Sequence, residues 1–395
     1  MPSDPPADPQ AFAVRLRDGR EAAEAGDDAS AESEFLAVLA ATRGTGDALE
    51  FRALADLASL YRRQSREMEA LRLARRLMEL ARRGEPDRRA CAAQSLCAAL
   101  ADIEDWPRLA AAMPEFEAAV AACPPKLRTA YDRAALVLLG RLALHRDDLA
   151  VAARHAADAV AASDDRPHEW TRLAAHSLSA WVAYRTGLFA EGLDTARRAH
   201  ALAPSPASAL ESVHVEALCT FEIEGPAAAA GVVRRAIDDI EARPRFAPAP
   251  AHLAHFGPAL AQLAGHCGDD VLARRVCDLA AAGMLGRLVE MERQVADLPE
   301  LREGSADDEA ALTAFRGRFR ERKTALLARL ASLLRPAGGP AFLSSGDDAL
   351  RVCAWCVRSL QDDGSWQPFG HVAHAVVGMR VTHGICPSCA AAHPS

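Results

Sequence analysis

Lysine is nearly missing from this chain. Of its 46 basic residues only Lys126 and Lys323 are lysines, and the rest are arginines. Arginine keeps its proton in nearly any protein environment. The inventory therefore leaves almost no room for a catalytic lysine or one that cradles phosphate. A basic field is lacking too: the net charge is −8, which offers nothing to draw in nucleic acid or an anionic membrane. No apolar run approaches the roughly 18 residues of a membrane span, and the longest, around Ala134–Leu144, is broken by Arg141. The first nine residues are acidic and proline-rich, without the apolar stretch of a secretory leader. Gly-x-Ser-x-Gly, P-loop, His-Glu-x-x-His and Gly-rich dinucleotide signatures are all missing. A non-enzymatic protein with a cytoplasmic location and no membrane partner is expected.

What the chain does have is a period. From about residue 10 to 283 it is rich in Ala, Leu, Arg and Glu with helical spacing, and most segments fall into helix pairs separated by a short turn. Small residues in the first helix of each pair recur at Gly19, Ala58, Ala98, Gly140 and Ala180, with weaker counterparts at Leu218 and Ala261. Spacing of this regularity, near 40 residues, marks a solenoid in which each helical hairpin buries its face against the next. About seven hairpins fit.

The residue pattern resembles the tetratricopeptide repeat (TPR). The second unit reads Leu54-x-x-Leu57-Ala58-x-x-Tyr61 and then Ala70; the fourth has Leu136-x-x-Leu139-Gly140 followed by Ala152, Ala156 and Ala159. In the fifth, Ala180, Gly187, Ala199 and Pro204 fit, with Gly187 ending the first helix and Pro204 stopping the second. The period exceeds the 34 residues usual for that family. The resemblance implies a superhelix that binds a protein or an acidic peptide on a concave surface lined by the first helices. On this register that surface presents Arg62, Arg63, Arg141, His145, Trp181, Tyr184 and Arg185, and arginine with tryptophan and tyrosine is the composition of a binding hot spot. Family members that hold chaperone tails do so with a lysine-built carboxylate clamp, which this chain cannot assemble.

Residues 1–9 read as a disordered start and 10–283 as the repeats. Residues 284–335 lose the pattern but keep apolar spacing, first over Leu285, Leu288 and Met291, then over Leu312, Phe315 and Phe319. That stretch is expected to cap the repeats, or to pair with a second copy as a coiled-coil linker in a homodimer. Residues 336–349 have the Pro, Gly and Ser content of a flexible linker.

The last segment, 350–395, carries Cys353-Ala-Trp-Cys356 and Cys386-Pro-Ser-Cys389. Two Cys-x-x-Cys knuckles on one short segment suit a tetrahedral Zn²⁺ with four thiolate ligands, which leaves no open position for chemistry. About 45 residues bury too little apolar surface to fold alone, and a metal supplies the deficit. Asp362-Asp363-Gly364 reads as a turn and Phe369–Val377 as a short helix. The frame Val352-Cys353-x-Trp355-Cys356, Trp366 and Thr382-His383-Gly384-Ile385-Cys386-Pro387 resembles a small module that trails bacterial sensor and receiver proteins. The resemblance implies a structural Zn²⁺ and a signalling context. Val357-Arg358 and Val381 depart from its pattern. Iron in a rubredoxin-like site and thiol redox chemistry are weaker readings, and His383 is a substitute ligand only if one cysteine is spared.

The fold class expected is mostly α: a TPR-like superhelix of helical hairpins with a small C-terminal α+β zinc module. The function expected is a protein–protein interaction scaffold or adaptor in bacterial regulation. One alternative is a redox- or zinc-responsive switch through the C-terminal thiolates. Another is a nucleic-acid-binding zinc ribbon. Against it, residues 351–395 carry Arg351, Arg358 and Arg380 against Asp362 and Asp363, with no basic stripe.

Overall fold

A computed structural model describes residues 9–292, apart from short connections at 26, 47, 65, 83, 163–168, 204–207 and 243–249. It also describes 306–310, 313–315, 317–318 and 321, and four strand segments between 350 and 384. The chain divides into two compact units, one formed by residues 1–167 with 295–315, the other by 168–294 with 316–395.

The first unit holds four helical hairpins: α1 (Pro9–Glu24) with α2 (Asp28–Thr42), α3 (Ala48–Arg63) with α4 (Glu67–Ala81), α5 (Pro86–Asp102) with α6 (Trp106–Ala121), and α7 (Pro125–His145) with α8 (Leu149–Ala161). The second unit holds three: α9 (Glu169–Arg185) with α10 (Phe189–Leu202), α11 (Leu210–Glu224) with α12 (Pro226–Ala242), and α13 (Pro250–His266) with α14 (Asp270–Glu292). The last helix runs without a break through residue 283. Within each unit the first helices touch in succession: α1 to α3 to α5 to α7, and α9 to α11 to α13. Stacking of hairpins along one row of helices is the packing of a helical-repeat solenoid.

The turn inside each hairpin is built the same way. The amide of the residue four into the second helix bonds back to a carbonyl at its N-cap: Ala31 to Asp27, Ala70 to Arg66, Leu109 to Asp105, Ala152 to Asp148, Gly192 to Leu188, Ala229 to Gly225 and Ala273 to Asp269. Four of these caps are aspartates whose carboxylates also accept an amide of the first turn, at 3.0–3.2 Å, from Ser30, Arg108, Val151 and Leu272. The residue before the cap takes the left-handed conformation at Glu104, Asp147, Gly187 and Gly268, which reverses the chain after the first helix. Gly187 thus ends α9 as its sequence context requires, while Pro204 lies outside the described residues.

These caps set the register. The small first-helix residue stands eight positions before the cap at Gly19, Ala58, Gly140, Ala180 and Ala261. The same count gives Cys97 and Ala217, both with no exposed surface, in place of the expected Ala98 and Leu218. Leu218 is only half-buried. The register is therefore one residue off the expected one in the third and sixth hairpins, because an alanine-rich helix offers several small residues in every turn. Close approach is the function of the position: a Cβ on Gly19 would come within 2.6 Å of Phe35 Cε1 on α2. The N-terminal core of Leu16, Phe35, Leu39, Leu54, Leu57 and Tyr61 closes over that contact.

At the C-terminal end the backbone forms a four-stranded sheet of β1 (Leu350–Cys353), β2 (Arg358–Leu360), β3 (Trp366–Pro368) and β4 (Val381–Gly384), in the order β3-β2-β1-β4. β1 pairs antiparallel with β2 and parallel with β4, with Cys353 opposite Gly384. The expected helix at 369–377 and turn at 362–364 lie outside the described residues.

Candidate partner-binding face

In the first unit the expected face is held together by its own charges. Arg62, in the last turn of α3, donates from Nε to Asp102 Oδ2 of α5 at 2.7 Å. The other Asp102 oxygen lies 3.9 Å from Arg141 Nη1 of α7. Arg141 stands 5.9 Å from the Trp106 ring, and Trp106 stacks on His145 with centroids 4.7 Å apart. The Asp102 carboxylate thus bridges three first helices, and the Trp106 indole at the start of α6 packs on α7. Arg63 turns the other way, donating to the Ala23 carbonyl at 3.1 Å and to Asp28 Oδ1 at 3.4 Å across the first hairpin's turn. Arg20 of α1 repeats the theme on Asp56 of α3 at 2.6 Å.

Sequence reading missed Asp102 and Trp106. On the corrected register Asp102 is the counterpart of Arg63, His145 and Arg185, five residues after the small position. A charge alternation along successive repeats, arginine against aspartate, was the available signal; the one-residue slip at Ala98 hid it.

In the second unit, Trp181 and Tyr184 lie one turn apart on α9, ring centroids 6.3 Å apart and edge to face. Trp181 also meets His214 of α11 edge to face at 5.2 Å, and Tyr184 meets Phe189 of α10 at 5.9 Å. Beneath them sit Ala180, Leu193, Ala196, Val215 and Cys219, all buried. Gly192 lets this layer close, since a Cβ there would come within 2.8 Å of Cys219 Sγ. The two rings are therefore partly core and partly surface, and Arg185, directly after Tyr184, is exposed. Burial, with like-charge repulsion from His255 of α13, holds the His214 pKa down at about 4, so its ring is neutral near pH 7. The neutral ring joins the aromatic layer without adding charge.

Five of the thiols in the repeats carry no activation. Burial pushes Cys97 up to about 12 and Cys91 and Cys219 up to about 11, with Cys123 and Cys267 shifted the same way. A thiol kept protonated is neither nucleophile nor ligand. Among the described residues no group of three or more His, Cys, Asp or Glu could hold a metal. Of the four C-terminal cysteines only the backbone of Cys353 is described, at the end of β1; Cys356, Cys386 and Cys389 lie outside the described residues. Among the described residues no helix is long and apolar enough to cross a membrane.

No family model matches the chain, and no curated protein matches it either. Solved structures do match in shape. The apo form of RapI superposes with a TM-score of 0.50 at 12% identity, covering 72% of this chain and all of that one. A Rap protein complexed with competence and sporulation factor superposes with a TM-score of 0.51 at 12% identity, covering 82% and 92%. A tetratricopeptide repeat protein from Parabacteroides merdae covers 78% and 99% at 15% identity, with a TM-score of 0.39. At these identities likeness speaks for fold alone. With hairpins stacked along their first helices and a small residue eight positions before each hairpin cap, this chain has a TPR-like helical-repeat fold.

Proposed function

We propose that this protein is a non-enzymatic interaction scaffold, a bacterial regulatory adaptor that holds a protein or acidic peptide on its first-helix face. The observation that carries the reading is the layer formed by Trp181, Tyr184 and His214, with exposed Arg185 beside it. A rigid aromatic platform next to a guanidinium is the usual make-up of a binding hot spot. The matching Rap structure complexed with competence and sporulation factor gives a precedent for such a fold holding a regulatory ligand. In the N-terminal unit Arg62 and Arg141 share the Asp102 carboxylate. The ligand-binding weight is placed on α9 and α11 because the aromatic layer lies there. Affinity capture with the intact chain and with Trp181→Ala/Arg185→Ala tests this. Loss of the bound protein from the variant supports the reading, and an unchanged set of bound proteins refutes it.

The C-terminal segment is proposed to hold one structural Zn²⁺ through Cys353, Cys356, Cys386 and Cys389. Parallel pairing of β1 with β4 supports this, because it sets Cys353 beside Gly384, two residues before Cys386. Both knuckles thereby start from the same end of neighbouring strands. Metal analysis of purified protein is expected to return one zinc per chain, and Cys386→Ser should lower it. A zinc-free chain whose 350–384 amides stay protected from exchange would count against the site.

A further inference from the structure

Residues 306–310 form a short helical segment that packs into the first unit, although it follows α6 by almost two hundred residues. Its acidic side chains meet arginines on two second helices. Arg72 and Arg75 are three residues apart on α4 and so share a face, and Arg108 lies in the first turn of α6. Asp308 is paired with Arg108 Nη2, and accepts from Arg75 Nη2 at 3.3 Å. Arg108 Nη1 donates to the Asp307 carbonyl at 3.0 Å, and Arg72 pairs with Glu309. The Asp308 side chain is only 2% exposed, while those of Arg75 and Arg108 keep 40% and 25% of their surface open. Seven residues on in the sequence, Phe315 is buried at 8%.

The chemistry of the contact is that of a dock rather than a core. A carboxylate removed from water is costly unless paired, so Asp308 can sit in only one place. Arg75 and Arg108 stay partly solvated, while Arg72 keeps only 16% of its side chain open; the outer pairs are screened by salt, so the contact can open without wrecking a hydrophobic interior. These four arginine contacts are each made to a carboxylate or to a main-chain carbonyl. Any segment with Asp-Glu followed seven residues later by an aromatic offers the same groups.

We propose that Arg72, Arg75 and Arg108 form an acidic-segment docking seat on the second helices, with residues 306–315 of the same chain as resident occupant and an acidic helix of a partner protein as exchange ligand. The seat shares no residue with the aromatic face of α9 and α11, so either assignment can fail while the other stands. The probe is an isotope-labelled, fluorescent peptide of residues 303–318. It should bind a full-length Asp308→Arg/Glu309→Arg variant, whose own segment is expelled, about tenfold or more tighter than it binds the unaltered chain. A peptide carrying Asp308→Asn and Glu309→Gln should lose that binding. Equal affinity for both chains, or no binding to the variant, overturns the proposal. In the unaltered chain, excess peptide should speed amide exchange across the chain's own 306–315 and leave α1 to α3 unchanged. No change in that exchange overturns it even if the variant does not fold.

Discussion

Gly257 and Gly231 look alike in the sequence, each a glycine inside an alanine-rich helix, yet their surroundings assign them opposite roles. A Cβ on Gly257 would lie 2.5 Å from Ala280 Cβ and 3.2 Å from its Cα, so α13 and α14 touch through that position. Gly257→Ala is expected to lower stability by about 1–3 kcal/mol, read as a reduced urea midpoint with unchanged slope. At Gly231 of α12 a Cβ would meet only the Nη1 of Arg235, one turn along the same helix, at 3.6 Å. Gly231→Ala should raise stability by up to about 1 kcal/mol, since only the glycine's backbone entropy is removed. At His214 the depressed pKa makes a pH prediction. Between about pH 6.5 and its folded value of about 4 the unfolded chain takes up a proton that the folded ring refuses. Stability therefore falls as pH drops through that window, by about 3 kcal/mol in total, and is unaffected above it. His214→Gln should remove this part of the acid sensitivity in urea titrations at pH 7 and pH 4.5. None of these three fates is written in the residue type; each comes from what the neighbouring helix puts opposite.

Helices are the scale at which sequence reading worked best, and its one error there is instructive. Periodic Ala and Leu were enough to place hairpins, because a helix must bury one stripe and the spacing of that stripe is local. Register was a different matter, since Cys97 and Ala98 are both small and both buried. What sets register is the cap, and the aspartates at 27, 105, 148 and 269 were a visible signal once their shared role was known. Asp148→Ala should cost about 1 kcal/mol by leaving the Val151 amide without its carboxylate. Gly187→Ala should cost about 1–2 kcal/mol for a different reason. Nothing lies within 4 Å of a Cβ there, so the whole penalty is the left-handed backbone at φ +77. Thermal unfolding of the two variants against the parent distinguishes them from a silent substitution.

On the scale of the whole molecule the predictions concern what binds. Replacing Trp181 and Arg185 together should weaken a first-helix ligand by about 2 kcal/mol or more, near thirtyfold in Kd, with little change in helix content. Replacing Arg62 should act mainly on stability, because its guanidinium is committed to Asp102. Removing zinc with a chelator should expose 350–395 to protease while the helical circular dichroism signal stays. If chelation changes neither, the cysteines do not hold a metal that folds the segment.

Composition and pattern alone determined that this chain is helical, repeated, almost without lysine and equipped with a cysteine quartet of metal-site spacing. Those are properties of short windows, where helix propensity, apolar spacing and ligand type act within a turn or two. Which arginines are spent on neighbouring repeats and which stay exposed, and that Asp308 returns to α4 and α6 from 200 residues away, depend on pairings between segments far apart in the chain. No local pattern encodes such pairings: a carboxylate reads the same in the sequence whether it meets water or a guanidinium. Only the tertiary structure, by bringing the two together and removing the water between them, decides which it is.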